Sequence, residues 1–425
     1  MLKMKPFSWD TIDGVIAGFE GRYAHKSKKG APKSDLIFYK FWMTYLKNLR
    51  HAHENGKKIV FHTTNVPNEI LYAFDIAPVH IQVSLGISSI SGTQQTALNT
   101  PLAMGMTPEM CSLCRIPLGF FAEGIFPPPD AFIGNLAVCD YIVKNADLVN
   151  HFCGCPTYTI EKPYLYSPNG VAYMVKQFEE VIEFLEQVTG SKLNYDRLEE
   201  TISYARQVES LHRSINELRK SRPTPMNSRK GPELQLADFY FTGTPLAVEY
   251  YQCIYEECAQ RVEKKEGAIP NEKYRLLSPY YFPTYGWDLV DHLEKKWGAI
   301  NVMELFFSPW SDLDFKPKSP LEALAKKYYE HPITKFQNAP IDVLIQEIIR
   351  EAREYSADAV LWWAHRSCSH MLGAMWSIDK AITEQIGIPI LRIDEDYADP
   401  VIEPIPKMID KIDIFFQMLE TSGNI

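Results

Sequence analysis

Apolar positions along the chain change their period several times, and the changes lay out the elements. Residues 36–49 carry apolar side chains at helical spacing. With the basic stretch 26–33 before them, they predict a helical N-terminal arm over residues 1–55. The run 57–62, Lys-Lys-Ile-Val-Phe-His, is short and apolar at its centre and predicts a buried strand. It passes into Thr63-Thr64-Asn65-Val66-Pro67-Asn68-Glu69, where proline suits the first turn of a helix beginning near residue 67. Further buried strands are expected at 131–134 and 157–160. Strands alternating with helices build a parallel sheet, so residues 56–166 are expected to form an α/β domain.

From Gly170 the period is helical. Val171, Met174, Val175, Phe178, Val181, Ile182 and Leu185 mark one face, and Gly190 offers a C-cap. Charged amphipathic patterns predict helices over 195–220 and 247–264. Between them stand Arg222-Pro223-Thr224-Pro225 and a polar loop at 227–233. Residues 167–270 therefore read as a helical insertion. Strand-like runs return at 274–277, 300–305, 359–363 and 388–393, with a helix at 341–355, so residues 271–425 read as a second α/β domain. The expected class is α/β: two flavodoxin- or Rossmann-like parallel-sheet domains with a helical insertion and a helical N-terminal arm. Ligands of open parallel sheets bind beyond the carboxyl ends of the strands, which predicts a cleft faced by both domains.

Net charge is −9 with a pI near 5.7, which argues against a nucleic-acid face and its phosphate contacts. No run approaches the roughly 18 apolar residues of a membrane span, and the basic start Met-Leu-Lys-Met-Lys lacks the apolar stretch of a signal peptide. A cytoplasmic location is expected, and with it reduced thiols.

That makes the eight cysteines the candidate chemistry. Cys111 stands in Met-Cys-Ser-Leu-Cys-Arg, Cys139 in Val-Cys-Asp-Tyr and Cys368 in His-Arg-Ser-Cys-Ser-His, each read as lying at or after a strand end. Thiolates are soft ligands, and iron–sulfur clusters use them most. Three of them on a [4Fe–4S] cluster leave one iron open to substrate. The spacing alone also allows buried structural thiols. It allows zinc as well, through Cys111-x-x-Cys114 and Cys153-x-Cys155, although one intervening residue is atypical there. Cys253 and Cys258, five apart on a helix, read as structural.

The surrounding sequence, from about residue 57 to 417, resembles the 2-hydroxyacyl-CoA dehydratases and the related ATP-dependent benzoyl-CoA reductase subunits. The marks are Val66-Pro67-Asn68-Glu69-Ile70-Leu71, Cys111-Ser-x-x-Arg115 with Gly119, and Pro129-Asp130 followed by Cys139-Asp140. Near the C-terminus come Arg366-Ser367-Cys368, Gly387-Ile388-Pro389 and Asp394-x-Asp396-x-x-Asp399-Pro400. The resemblance implies one [4Fe–4S] cluster held by Cys111, Cys139 and Cys368, with Cys114, Cys153 and Cys155 outside the ligand set. It implies an acyl-CoA substrate and loss of water through a ketyl radical anion, made by one-electron reduction of the thioester carbonyl. The chain has no G-x-x-x-x-G-K-[ST] phosphate loop. The resemblance places ATP hydrolysis on a separate iron–sulfur activator and pairs the chain with a related second iron–sulfur subunit as a heterodimer.

For the substrate, Thr63 and Thr64 stand where a strand hands over to a helix. Their hydroxyls suit a thioester oxygen or hydroxyl, or equally a helix cap. Glu69 is a candidate acid or base, or the far half of a capping box. Gln82 falls where the family often carries an acidic residue, and an amide cannot act as a base. His80, His365 and Arg366 stand near these positions, and the acidic run 394–399 reads as a loop organiser. The aromatic stretch 280–287 suits either a flat ring or the core. The rival readings are a benzoyl-CoA reductase-type subunit, an electron-carrying iron–sulfur subunit without substrate, and a zinc-bound or metal-free structural subunit.

Overall fold

Short apolar runs produce two four-stranded sheets, seen in a computed structural model that describes residues 4–139, 141–280, 282–309 and 318–422. Asp140 and Tyr281 of the stretches above lie outside the described residues. The first sheet holds β1 (Ile59–His62), β2 (Ala77–His80), β3 (Ala131–Asn135) and β4 (Thr157–Ile160), all parallel in the order β2-β1-β3-β4. The second holds β5 (Tyr274–Ser278), β6 (Ala299–Glu304), β7 (Ala359–His365) and β8 (Ile390–Glu395), all parallel in the order β6-β5-β7-β8. The fold is α/β with two parallel sheets, as the alternation of strands and helices requires.

The chain divides into two compact units, each assembled from three stretches. The first comprises residues 4–210, 236–253 and 318–338, and the second residues 211–235, 254–309 and 339–422.

In the first unit, helix Pro168–Thr189 lays Met174, Phe178, Val181 and Leu185 into the core beside Leu324 and Tyr328 of helix Pro320–Glu330. Each such side chain contributes about 1.5–3 kcal/mol on burial. The helix begins as its sequence dictates. Ser167 accepts a hydrogen bond from the Gly170 N–H, Pro168 occupies the first turn, and Gly190 closes the end at φ 71°.

In the second unit, β7 is buried along its whole length. Leu361 and Trp363 face Ile412 and Phe416 of helix Ile405–Ser422 in one core. Phe282 joins that core, its ring 5.6 Å from Trp363, so at this position the aromatic stretch serves packing.

Two expectations need correction. Of the loop expected at 227–233, residues 230–233 form the first turn of helix Lys230–Phe241; Pro232 fits there because in a first turn proline lacks no needed N–H. The four-residue β2, with Pro78 inside it, was not among the expected strands. β2 lies at the sheet edge, where a missing donor is tolerated. Among the described residues no helix is long and apolar enough to cross a membrane.

Candidate functional site

β1 ends at His62, and the chain turns through Thr63, Thr64 and Asn65 before helix Asn68–Ala73. Asn65 sits in the left-handed region at φ 61°, a conformation asparagine tolerates better than most residues. Its amide Nδ2 contacts His331 Nδ1 at 2.9 Å. On the other side of that ring, Nε2 lies 3.0 Å from Asp238 Oδ2, and the Thr242 hydroxyl donates to Asp238 Oδ1 at 2.6 Å. Because the asparagine amide donates, the imidazole accepts at Nδ1 and gives its Nε2 proton to Asp238. Burial works to raise the Asp238 carboxyl, yet the hydrogen bond from His331, aided by the Lys327 charge and the Thr242 hydroxyl, holds it well below the usual carboxylate range.

The structure brings Thr64 and Gln82 together. Thr64 Oγ1 donates to Gln82 Oε1 at 3.1 Å, and the Thr64 carbonyl accepts from Asn135 Nδ2 at 2.8 Å. Tyr328 donates in turn to Asn135 Oδ1. The Gln82 N–H is held by His80 Nδ1 at 3.2 Å. Thr63 Oγ1 is buried and finds no hydrogen-bond partner among the described residues.

Glu69 does not complete a capping box. The N-cap is Pro67, which has no side-chain acceptor, and Glu69 Oε1 pairs instead with Lys327 Nζ at 2.5 Å. Glu69 is 1% exposed, and its Oε2 has no partner among the described residues. Glu69, Lys327, Asp238, His331, Asn65 and Tyr328 line a small cleft that belongs wholly to the first unit. Asp238, Lys327 and His331 were not singled out in the sequence. Each is a lone polar residue at or near a helix, and local spacing carries no trace of their meeting.

His80 is buried against Phe239 and does not serve as a proton carrier near neutral pH, because burial and the neighbouring His62 push its imidazole well below the ordinary value. Arg366 is exposed. Asp396 organises the loop after β8, accepting from Ser367 Oγ at 3.0 Å and from the Ala398 and Asp399 N–H groups.

The cysteines differ in setting. Cys139 follows β3 and Cys368 follows β7, but Cys111 is not at a strand exit. It follows helix Gln94–Ala103 and a loop, and is the N-cap of helix Ser112–Ala122. Cys368 likewise N-caps helix Ser369–Gln385. A helix N-terminus favours thiolate over thiol. Tyr280 Oη donates to Cys368 Sγ at 3.3 Å, a contact that further favours the anionic sulfur. Burial pushes the thiols of Cys153 and Cys155 up to about 12 and about 11, and that of Cys258 to about 11. These are poor thiolate donors.

All eight cysteines stand outside disulfides. Cys111 and Cys139 lie in the first unit and Cys368 in the second. Among the described residues no three His, Cys, Asp or Glu side chains form a metal-holding group. As thiols at helix starts, Cys111 and Cys368 could bind a soft metal as thiolates.

The family model described as 2-hydroxyglutaryl-CoA dehydratase, D-component, matches residues 63–419. The chain belongs to this family. The match begins at the Thr63 turn and takes in the cleft and all eight cysteines. Among curated relatives, a benzoyl-CoA reductase subunit of Thauera aromatica is 26% identical over 401 residues, covering 86% of this chain and 90% of that protein. The (R)-phenyllactyl-CoA dehydratase alpha subunit of Clostridium sporogenes is 20% identical over 362 residues, covering 82% and 86%. The (R)-2-hydroxyglutaryl-CoA dehydratase alpha subunit of Acidaminococcus fermentans is 24% identical over 294 residues, covering 66% and 58%. The family thus spans named dehydratase and reductase subunits.

Proposed function

We propose that this chain is the [4Fe–4S] catalytic subunit of a 2-hydroxyacyl-CoA dehydratase, eliminating water from the thioester by ketyl radical chemistry. The observation that carries the choice is the Thr64 hydroxyl donating to Gln82 Oε1. With its proton committed, Thr64 Oγ1 remains an acceptor for a substrate hydroxyl, and the Gln82 amide NH₂ remains a donor for the thioester carbonyl. A 2-hydroxyacyl thioester carries that pair of groups.

Cys111, Cys139 and Cys368 would hold the cluster. Bound there, it would supply the low-potential electron that the thioester carbonyl must receive. Thr63, whose buried hydroxyl has no partner among the described residues, adds a polar contact beside Thr64. Gln82 positions and donates; it does not take a proton. The reading includes a related second iron–sulfur subunit, a proposal in keeping with the subunit names of the relatives. It also includes a separate ATP-hydrolysing iron–sulfur activator.

A second reading, a benzoyl-CoA reductase-type subunit, is favoured by the 26% identity to such a subunit and by an amide at residue 82 where a base would be useful. Electron accounting separates the two. A dehydratase recycles its electron, whereas a reductase consumes two per product. The test is to activate the complex anaerobically with ATP, remove the ATP, and add 2-hydroxyacyl-CoA. Sustained enoyl-CoA formation is expected. Product limited to the electrons already loaded would transfer the assignment to the reductase.

A further inference from the structure

We infer that two adjacent carboxyls behind Cys368 have separate roles in holding and tuning it. Asp396 is a charged anchor that positions the Cys368 loop. Glu395 is a protonated acid that keeps a second charge away from that loop. The inference rests on the cluster reading above, in which Cys368 is a ligand, and its geometry lies wholly in the second unit. β7 and β8 end in register at His365 and Glu395, and hydrogen bonds strap together the loops that follow. The Arg366 N–H donates to the Glu395 carbonyl at 2.9 Å. The Tyr397 N–H donates to His365 Nδ1 at 3.1 Å, and Ser367 Oγ to Asp396 Oδ2 at 3.0 Å. Cys368 is the next residue, its own N–H bonded to the His365 carbonyl at 3.0 Å.

The two side chains are both fully buried, yet their surroundings are opposite. Asp396 accepts from Ser367 and also from the Ala398 and Asp399 N–H groups at 3.3 and 3.2 Å, donors that stand in for water around a carboxylate. Glu395 has nothing comparable: neither Oε1 nor Oε2 has a hydrogen-bond partner among the described residues. His365 Nδ1 lies 3.7 Å from Oε1. That nitrogen already accepts from Tyr397, so it turns a lone pair toward the acid and not a proton. Lys411 of the last helix pairs instead with Asp394 and Glu403. Tyr285, pushed up by burial and then by Glu395, is a neutral phenol. A buried carboxyl without donor or cation avoids its charge by keeping its proton. Burial, with Asp396 beside it, accordingly pushes Glu395 well above the carboxylate range. Neighbouring acids whose surroundings drive their protonation apart can take different roles. Here the Asp396 charge, shielded from solvent, acts on the group bound at Cys368, and Glu395 adds none.

Each acid is replaced by its amide in the full-length protein, purified anaerobically. The reduction potential of the cluster is followed by electron paramagnetic resonance. Asp396→Asn removes a negative charge and should shift the potential upward, whereas Glu395→Gln should leave it where it is. Ser367→Ala withdraws a donor from Asp396 and should shift the potential downward, which tests the same link if Asp396→Asn does not fold. Infrared spectra at pH 8 should show a protonated-carboxyl carbonyl band in wild type that Glu395→Gln lacks. Equal shifts for the two amides, or the same infrared band in both proteins, would show that Glu395 carries no proton. No shift in Asp396→Asn or Ser367→Ala would remove Asp396 from the cluster's surroundings. A Glu395→Gln protein that fails to fold also counts against the inference, since an amide is the nearest substitute for a neutral acid. If wild type holds no iron, the link to the cluster falls with the cluster reading, and the infrared comparison alone decides whether Glu395 is protonated.

Discussion

Thr64 donates a 3.1 Å hydrogen bond to the side-chain oxygen of Gln82, across the carboxyl ends of the neighbouring strands β1 and β2. The direction of that bond leaves an acceptor on the threonine and donors on the glutamine. Thr64→Val removes the acceptor and keeps the shape. It is expected to weaken binding of a 2-hydroxyacyl-CoA about tenfold more than that of the same acyl-CoA without the hydroxyl, with a stability change of only about 1 kcal/mol. Equal losses for the two ligands would reduce Thr64 to a turn residue.

The cysteines make a second prediction. Cys111→Ala, Cys139→Ala and Cys368→Ala proteins, purified anaerobically, should each lose the iron and sulfide of one [4Fe–4S] cluster and its brown colour. Cys253→Ala and Cys258→Ala should keep both. Tyr280→Phe, which deletes the hydrogen bond to Cys368 Sγ, should leave iron content intact and lower the reduction potential, because the anionic sulfur loses a donor. Full iron in Cys368→Ala protein would remove that residue from the ligand set.

Most strands of both sheets were legible in the sequence because buried parallel strands are largely apolar runs, and β1, β3, β5, β6 and β7 are buried throughout, while β8 alternates buried and exposed positions. β4 is partly exposed and was still caught through its Thr-Tyr-Thr-Ile composition. Helix Ser112–Ala122 was not expected, because it is buried nearly all round and carries Pro117 in its interior, a residue that reads as a helix breaker. At the site, the threonine turn and the cysteines announce themselves by residue type. The Glu69–Lys327 pair joins residues 258 apart in sequence, and His331 is 93 from Asp238. Residues 320–337 return to the first unit after the chain has already built β5 and β6 of the second. Tertiary contacts of that kind have no local signature.

Stability in the second unit depends on a buried ion pair. Arg219 Nη2 lies 2.7 Å from Glu304 Oε2 at the end of β6, with the side chains 2% and 4% exposed. Burial raises the Glu304 carboxyl, and the Arg219 charge acts against that rise. A Cβ on Gly231 would collide with the same carboxylate, so the pocket around it is full. Arg219→Met strands the glutamate and should cost about 3–5 kcal/mol in urea unfolding. Adding Glu304→Leu should recover much of that loss, since the stranded charge goes with it. Additive losses in the double variant would show that the pair is not the source.

Acid should unfold the first unit through its paired histidines. His62 and His80 end β1 and β2 in register, with ring centroids 5.2 Å apart. Burial lowers the His62 imidazole to about 4, against a smaller opposing contact from the Thr63 carbonyl. Unfolded histidine takes its proton near 6.5, so between those two values the unfolded chain binds more protons than the folded one. His62's contribution is therefore complete above about pH 6.5 and is lost as pH falls toward 4, roughly 3 kcal/mol in all. Urea unfolding at pH 7 and pH 5 measures it. His62→Asn should be less stable than wild type at pH 7 but should lose about 2 kcal/mol less on going to pH 5. Identical pH slopes for the two proteins would mean that His62 does not gain a proton on unfolding.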